Sequence, residues 1–233
     1  DDPVIRQLTD QNLIWYSRGK KIGMVDSPEG QAIASSLNKT LGLMRGVLAR
    51  KEFDYLVIPT GKTLTGGIYK FAGNQANLRA ATYDAGLQVI FISTDGIAAQ
   101  QQDIPRAVAE MEKADAATMD AMLSKARQEF HLRREGRDRQ NFQVTAPGQQ
   151  IVFPKDAVLM PLSLEWDAAS LGSHYLFENT IEWVLSTVDY CLKHSNHSVI
   201  VRQHPGERVK FGNSQLDIRA RLQERFGNEP RLI

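Results

Sequence analysis

The spacing of apolar residues changes period along the chain, and each change predicts an element. A short apolar run, Lys21-Ile22-Gly23-Met24-Val25, stops at Asp26 and reads as a buried strand. Ser27, Pro28 and Glu29 then supply a cap, a first-turn proline and an early acid, which together mark a helix start. Ile33, Leu37, Leu41, Met44 and Leu48 recur at three- and four-residue spacing, so this helix should reach about residue 51 with one buried stripe. Asp54-Tyr55-Leu56-Val57-Ile58-Pro59 predicts a second strand. A loop over 60–67, a short helix near 68–73, and strands at 78–82 and 88–93 complete this stretch.

Ile104-Pro105 opens a predicted long helix to about residue 134, with Ala107, Met111, Ala114, Met119, Met122 and Ala126 as a partly apolar packing side. The residues after it are polar, and Pro147-Gly148-Gln149-Gln150 reads as a linker. A domain boundary belongs there, separating 1–148 from 149–233. The second section begins again with a strand, Ala157-Val158-Leu159-Met160-Pro161-Leu162, a loop over 163–173 and a helix over 174–194. Leu176, Ile181, Val184, Leu185, Val188 and Leu192 form that helix's stripe. Ser198-Val199-Ile200-Val201-Arg202 is the next strand, 214–226 the next helix, and Pro230-Arg231-Leu232-Ile233 the approach to another strand. Alternating strands and helices predict the α/β class, with two Rossmann-like domains. A second half with so few strands is incomplete, so the chain is expected to be a fragment of a longer protein.

Composition narrows the function classes. The 233 residues allow one or two domains, and a formal net charge of +1 gives no global field towards nucleic acid. The basic run from His131 through Arg133, Arg134 and Arg137 to Arg139 is broken by Glu135 and Asp138, and reads as a solvated helix end. A patch for a lipid-linked or phosphorylated substrate is its functional alternative. The single cysteine, Cys191, excludes an intrachain disulfide and sits at a core or near-core helix position. No cysteine–histidine spacing signals zinc, so no metal and no cofactor is expected. No apolar run has the length of a membrane span, and no signal-peptide pattern is present. The glycosylation-type triplets at Asn38 and Asn196 are common by chance. A cytoplasmic protein is expected, with peripheral association at the inner membrane left open.

The candidate chemistry clusters where a strand gives way to a polar loop. Arg202 ends the strand at 198–202, and His204, Pro205, Gly206 and Arg208 follow it directly. Ligands of open α/β sheets bind just beyond the carboxyl ends of parallel strands. Arginine offers a planar fork of donors for phosphate or carboxylate, and His204 could bond a phosphate or a sugar hydroxyl. Pro205 fixes its own φ and favours an extended approach. Thr60-Gly61-Lys62-Thr63 imitates a P-loop, but Leu56 stands where the opening glycine belongs. An ordinary strand-to-helix connection is the better reading. Asp26 and Glu29, at a helix start, are either caps or the general base of a sugar transfer. Asp84, Asp95, Glu165 and Asp167 are further cleft acids. His131, His174, His194 and His197 read as surface or capping groups.

Two patterns carry a family resemblance. One is Val158-Leu159-Met160-Pro161-Leu162-Ser163-Leu164-Glu165-Trp166-Asp167 with the helix from Phe177 to Trp183; the other is Val199-Ile200-Val201-Arg202-Gln203-His204-Pro205. Both are similar to bacterial capsule polysaccharide biosynthesis and export proteins of the Kdo-transferase type. Tyr55-Leu56-Val57-Ile58-Pro59, Gly61, Gly66-Gly67 and Ala81-Thr82-Tyr83-Asp84-Ala85-Gly86 follow the same family more loosely. Ser163 stands where the family pattern has glutamine. The resemblance implies a GT-B-like glycosyltransferase of two facing Rossmann-like domains, the second truncated here. The acceptor side, for a glycan or glycolipid, would lie in 1–148, and the side for a nucleotide-sugar donor, including CMP-linked ones, in 149–233. Arg202, His204, Pro205 and Arg208 would then hold the donor's phosphate or ribose. No obligatory metal is implied, since helix N-termini and basic residues offset the leaving phosphate. The serine or threonine that completes such a donor site lies beyond Ile233. A CDP-polyol phosphotransferase of the same architecture and a non-catalytic polysaccharide-assembly subunit remain as alternatives.

Overall fold

The computed structural model describes residues 2–86, 89–94, 96–137, 153–172, 176–208 and 214–233. The protein is mixed α/β, with small sheets. It divides into two compact units, one of Asp1–Lys39 with Gln150–Ile233 and one of Thr40–Gln149. The division falls inside a single helix, α2 (Pro28–Leu48). The linker expected at 147–150 lies outside the described residues.

In the unit of Thr40–Gln149, three strands form a sheet in the order β1 (Tyr55–Pro59), β2 (Arg79–Gly86), β3 (Val89–Ser93). β1 and β2 run parallel and β3 antiparallel to β2. Helix α3 (Leu64–Gln75) packs against β1 and β2, and Ile58, Ile68, Ala72 and Thr82 are buried there. The helix begins earlier than the sequence suggests, because Thr63 already has the extended backbone of an N-cap. The other sheet face is open: Val57 is 68% exposed, and Ile90 and Ile92 are each 67% exposed.

The helix expected over 104–134 is two helices, α4 (Ile104–Met111) and α5 (Ala116–Arg134). Asp115 breaks the run: its backbone is extended, and its carboxylate accepts from the Thr118 amide at 2.8 Å as an N-cap. No residue of either helix is buried, so the alanine and methionine positions form no core here. The basic run does close a solvated helix, with His131, Arg133 and Arg134 in the last turn of α5. Its Asp138 and Arg139 lie outside the described residues.

The other unit is built on β4 (Val158–Pro161) and β5 (Val199–Arg202), paired in parallel from Val158↔Val199 to Pro161↔Arg202. The final residues extend this pairing. Val199 N–H donates to Arg231 O at 2.7 Å, Ile233 N–H to Val199 O at 2.8 Å and Val201 N–H to Ile233 O at 2.9 Å. Helix α6 (Thr180–His194) lays Val184 and Val188 on the sheet, and α7 (Ile218–Phe226) adds Ile218. Cys191 packs against this cluster, as its sequence position suggested. α6 starts later than the spacing predicts. Asn179 accepts from the Glu182 amide at 3.0 Å, and Glu182 returns a bond to the Glu178 amide at 2.7 Å, which fixes the start at Thr180. Leu176, expected on the buried stripe, precedes the helix and is exposed.

The chain's beginning holds a helix and, after it, one departure from expectation. Residues 3–17 form α1 (Pro3–Ser17), capped by Asp2, whose carboxylate accepts from the Val4 amide at 2.9 Å. The strand expected at 21–25 is instead a series of turns. Gly23 has φ +73°, Met24 N–H bonds Lys21 O and Ser27 N–H bonds Met24 O, so the backbone groups are used locally. The stripe of α2 agrees with the sequence, with Leu37, Leu41 and Leu48 buried, although the helix ends at Leu48.

Gly61 and two helix glycines allow a stability test. Gly61 has φ +75°, and a Cβ there would collide with Thr82 Cγ2, whereas Cβ atoms at Gly42 and Gly46 of α2 would meet nothing within 4 Å. Gly61→Ala should lower unfolding free energy by about 1–3 kcal/mol, and Gly42→Ala and Gly46→Ala should each raise it by about 0.5–1 kcal/mol. Chemical denaturation of the three variants checks both signs, and a neutral Gly61→Ala would show that the loop relaxes freely.

Candidate functional site

The carboxyl ends of β4 and β5 release two loops side by side. Leu162 N–H, at the start of the first, donates to Arg202 O at 2.9 Å. The first loop then buries Leu164, Glu165 and Leu171. Asp167 shapes it: its carboxylate accepts from the Ala169 amide at 3.0 Å, and its carbonyl from Ser170 and Leu171. Asp167 thus acts as a turn former. In the second loop Pro205 begins a single 3-10 turn, Pro205–Arg208. Gly206 N–H donates to His204 Nδ1 at 3.0 Å. Gly206 is buried, and a Cβ there would press on His204 Nδ1 at 2.8 Å and Leu164 Cδ1 at 3.1 Å. The glycine therefore lets the His204 loop close onto the Leu164 loop.

His204 is half-buried and lines neither of the two cavities described below. With Nδ1 accepting, the neutral imidazole carries its proton on Nε2, which is left as a donor. Arg202, the last residue of β5, is exposed. Arg208 closes the 3-10 turn, and its side chain lies outside what the structure describes. Glu207 holds the loop down, accepting from the Ser214 amide at 2.6 Å.

Glu165 faces a cavity of about 270 Å³ in the same unit. Helix α1 contributes Gln7, Asp10, Gln11 and Ile14 to its wall, residues that share one face at helical spacing. Ile22 and Leu171 add apolar surface, and Glu178 and Asn179 stand at the start of α6. The end of α1 is tied to this region: Gly19 has φ +85° and lies beside Glu165 and Leu216, and Gln215 N–H donates to Arg18 O at 2.7 Å. Gln11 is only 3% exposed, and its Oε1 has no hydrogen-bond partner among the described residues. Asp10 Oδ1 is likewise buried without one.

Burial pushes the Asp10 carboxyl above its ordinary value, and the nearby Glu165 carboxylate adds to the rise. The Gly23 amide, which bonds Asp10, and the charge of Arg6 pull in the opposite direction without cancelling it. The candidate bases from the sequence have a different setting. Asp26 is bound at both oxygens by Arg6, at 2.8 and 2.9 Å, and Glu29 pairs with Lys21. These bonds hold both carboxyls below their ordinary values, so they are weaker bases than free carboxylates. Both are exposed, and neither lines the cavity.

The remaining candidates do not join this site. Asp84 is in β2 of the other unit and bonds the Ala85 amide at 3.1 Å. His194 and His197 are exposed, as is His131. Asp95 and His174 lie outside the described residues. Lys62 has a buried stem between Thr60, at φ +55°, and the first turn of α3, and burial lowers its pKa. A wide groove of about 630 Å³ in that unit is lined by Lys70, Asn74 and Arg79, and Lys62 is not part of it. Among the described residues no group of three histidine, cysteine or carboxylate side chains is placed to hold a metal ion.

No family model matches the sequence, and neither a curated protein nor a solved structure matches it. Any functional reading therefore stands on the chain's own residues and geometry.

The Asp10 carboxyl makes stability depend on pH in a known direction. The unfolded chain loses this proton near the ordinary value of 3.8, while the native chain keeps it longer. Above 3.8 the native state then binds more protons, and stability falls with rising pH until both states are ionised. Denaturation curves of wild type and Asp10→Asn from acid to neutral pH should diverge across that window, with the variant gaining. Parallel curves would show that the native carboxyl is solvated like the unfolded one.

Proposed function

We propose that the protein is a nucleotide-sugar-dependent glycosyltransferase of bacterial surface-polysaccharide assembly, with a GT-B-like pair of Rossmann-like domains. The observation that carries this reading is the His204 loop at the carboxyl end of a parallel strand. The bond from Gly206 to Nδ1 leaves Nε2 of the neutral imidazole as a donor, and Arg202 adds a guanidinium at the same strand end. Such a pair suits the phosphate and ribose of an activated sugar, whose leaving phosphate gains charge as the glycosidic bond breaks. On this reading the donor is a CMP-, UDP- or GDP-linked sugar, and the acceptor is a glycan or glycolipid. The protein would work at the cytoplasmic side of the membrane.

The test is nucleotide release from CMP-, UDP- and GDP-sugars by the full-length protein. One donor class should be turned over, and His204→Ala should slow that turnover about 100-fold, the usual cost of losing one donor to developing charge. Its melting temperature should stay close to wild type. Equal turnover in variant and wild type, or no turnover of any donor, would overturn the proposal.

A further inference from the structure

We propose that the cavity between α1 and the loop after β4 is a binding site for a neutral, hydroxyl-rich ligand, a single sugar ring, held by Asp10, Gln11 and Glu165. The strongest sign is a deficit of donors. Gln11 Oε1 and Asp10 Oδ1 are buried against the cavity with no hydrogen-bond partner among the described residues. A buried acceptor left unpaired is costly, so a fold that keeps two on one wall is poised for a molecule that brings donors. Sugar hydroxyls bring several.

Charge selects among ligands. Asp10 and Glu165, with Glu178 at the rim, make the wall acidic. A phosphate or carboxylate ligand would meet like charge in a partly dry space, at high cost. This cavity is thus unsuited to a nucleotide's phosphates, whatever the His204 loop binds. Size and lining agree. A cavity of about 270 Å³ has room for one sugar ring. Ile14, Ile22 and Leu171 supply the apolar patch on which the C–H face of a ring can lie.

The ligand's role as an acceptor sugar rests on the transferase reading; its binding does not. The Asp10 carboxyl, raised by burial and by Glu165, is better matched to take a hydroxyl proton than the ion-paired Asp26 or Glu29.

Ligand-observed NMR and calorimetry on the full-length protein test the proposal. The probes are glucose, galactose, mannose, N-acetylglucosamine and N-acetylmannosamine, with glucose 6-phosphate, calcium chloride and methylammonium as contrasts. At least one neutral sugar should bind, and glucose 6-phosphate should bind more weakly than glucose. Gln11→Leu should weaken binding of that sugar at least fivefold, the value of one lost hydrogen bond. Gln7 lies on the exposed rim, so Gln7→Ala should fold normally and weaken binding about two- to threefold. Binding of no neutral sugar, equal binding by Gln11→Leu and Gln7→Ala, or binding of calcium or methylammonium alone would overturn it. The two proposals fail separately. Sugar binding without turnover of any nucleotide sugar leaves the cavity site standing and removes the transferase. Donor turnover with an unchanged acceptor KM in Gln11→Leu does the reverse.

Discussion

The packing of α6 on the parallel pair β4–β5 is the constraint from which the site follows. Val184, Val188 and Val199 are fully buried and meet Met160, Leu162 and Ile218 in one cluster. Each such side chain contributes about 1.5–3 kcal/mol by leaving water, and together they fix the register of the strands. Register in turn fixes where the chain leaves the sheet, and so sets the Leu164 and His204 loops next to each other. Arg231 reinforces the arrangement from the far end of the chain. Its guanidinium donates to Leu192 O at 2.8 Å and to Ser195 O at 2.7 Å, satisfying carbonyls at the end of α6 while the following residues pair with β5.

Much of this order could be read from the sequence because it depends on local rules. The stripe of α2 and the strands at 55–59, 158–161 and 199–202 all follow from periodicity and β-branched chemistry. The errors arise where side-chain bonds compete with periodicity. Asp115 and Asn179 move or split helices by capping, and a periodic stripe does not record which polar residue wins the amides. The turns at 21–26 failed as a strand because a positive-φ glycine and local backbone bonds leave no ladder to join.

The site was legible only in part, for a related reason. A loop after a strand announces itself, and Glu165 and His204 were found that way. Gln7, Asp10 and Gln11 sit on a helix whose buried face mixes Ile5, Leu8 and Leu13 with Thr9, Gln11 and Asn12. Asp2 before Pro3, and polar residues at 7, 10 and 11 beside Ile14, were the available signal. A search for acids near strand ends passes over them, since their place beside Glu165 is made by tertiary packing.

Buried polar groups on α1 show the difference between structure and function most clearly. Thr9 Oγ1 donates to Ile5 O and Asn12 Nδ2 to Leu8 O, both at 2.7 Å, so these residues settle their polarity within the helix. Gln11, on the same helix, finds no partner for its carbonyl oxygen among the described residues and lines the cavity. Leucine there would fill space without that cost, so core packing alone gives no account of the amide. A ligand that donates hydrogen bonds does. The same logic separates the two parts of the unit in chemical character. The strand-end loop offers donors and positive charge through His204 and Arg202, and the cavity offers acceptors and negative charge. In the proposed transfer, an anionic leaving group and a neutral nucleophile need opposite surroundings, and this unit supplies both.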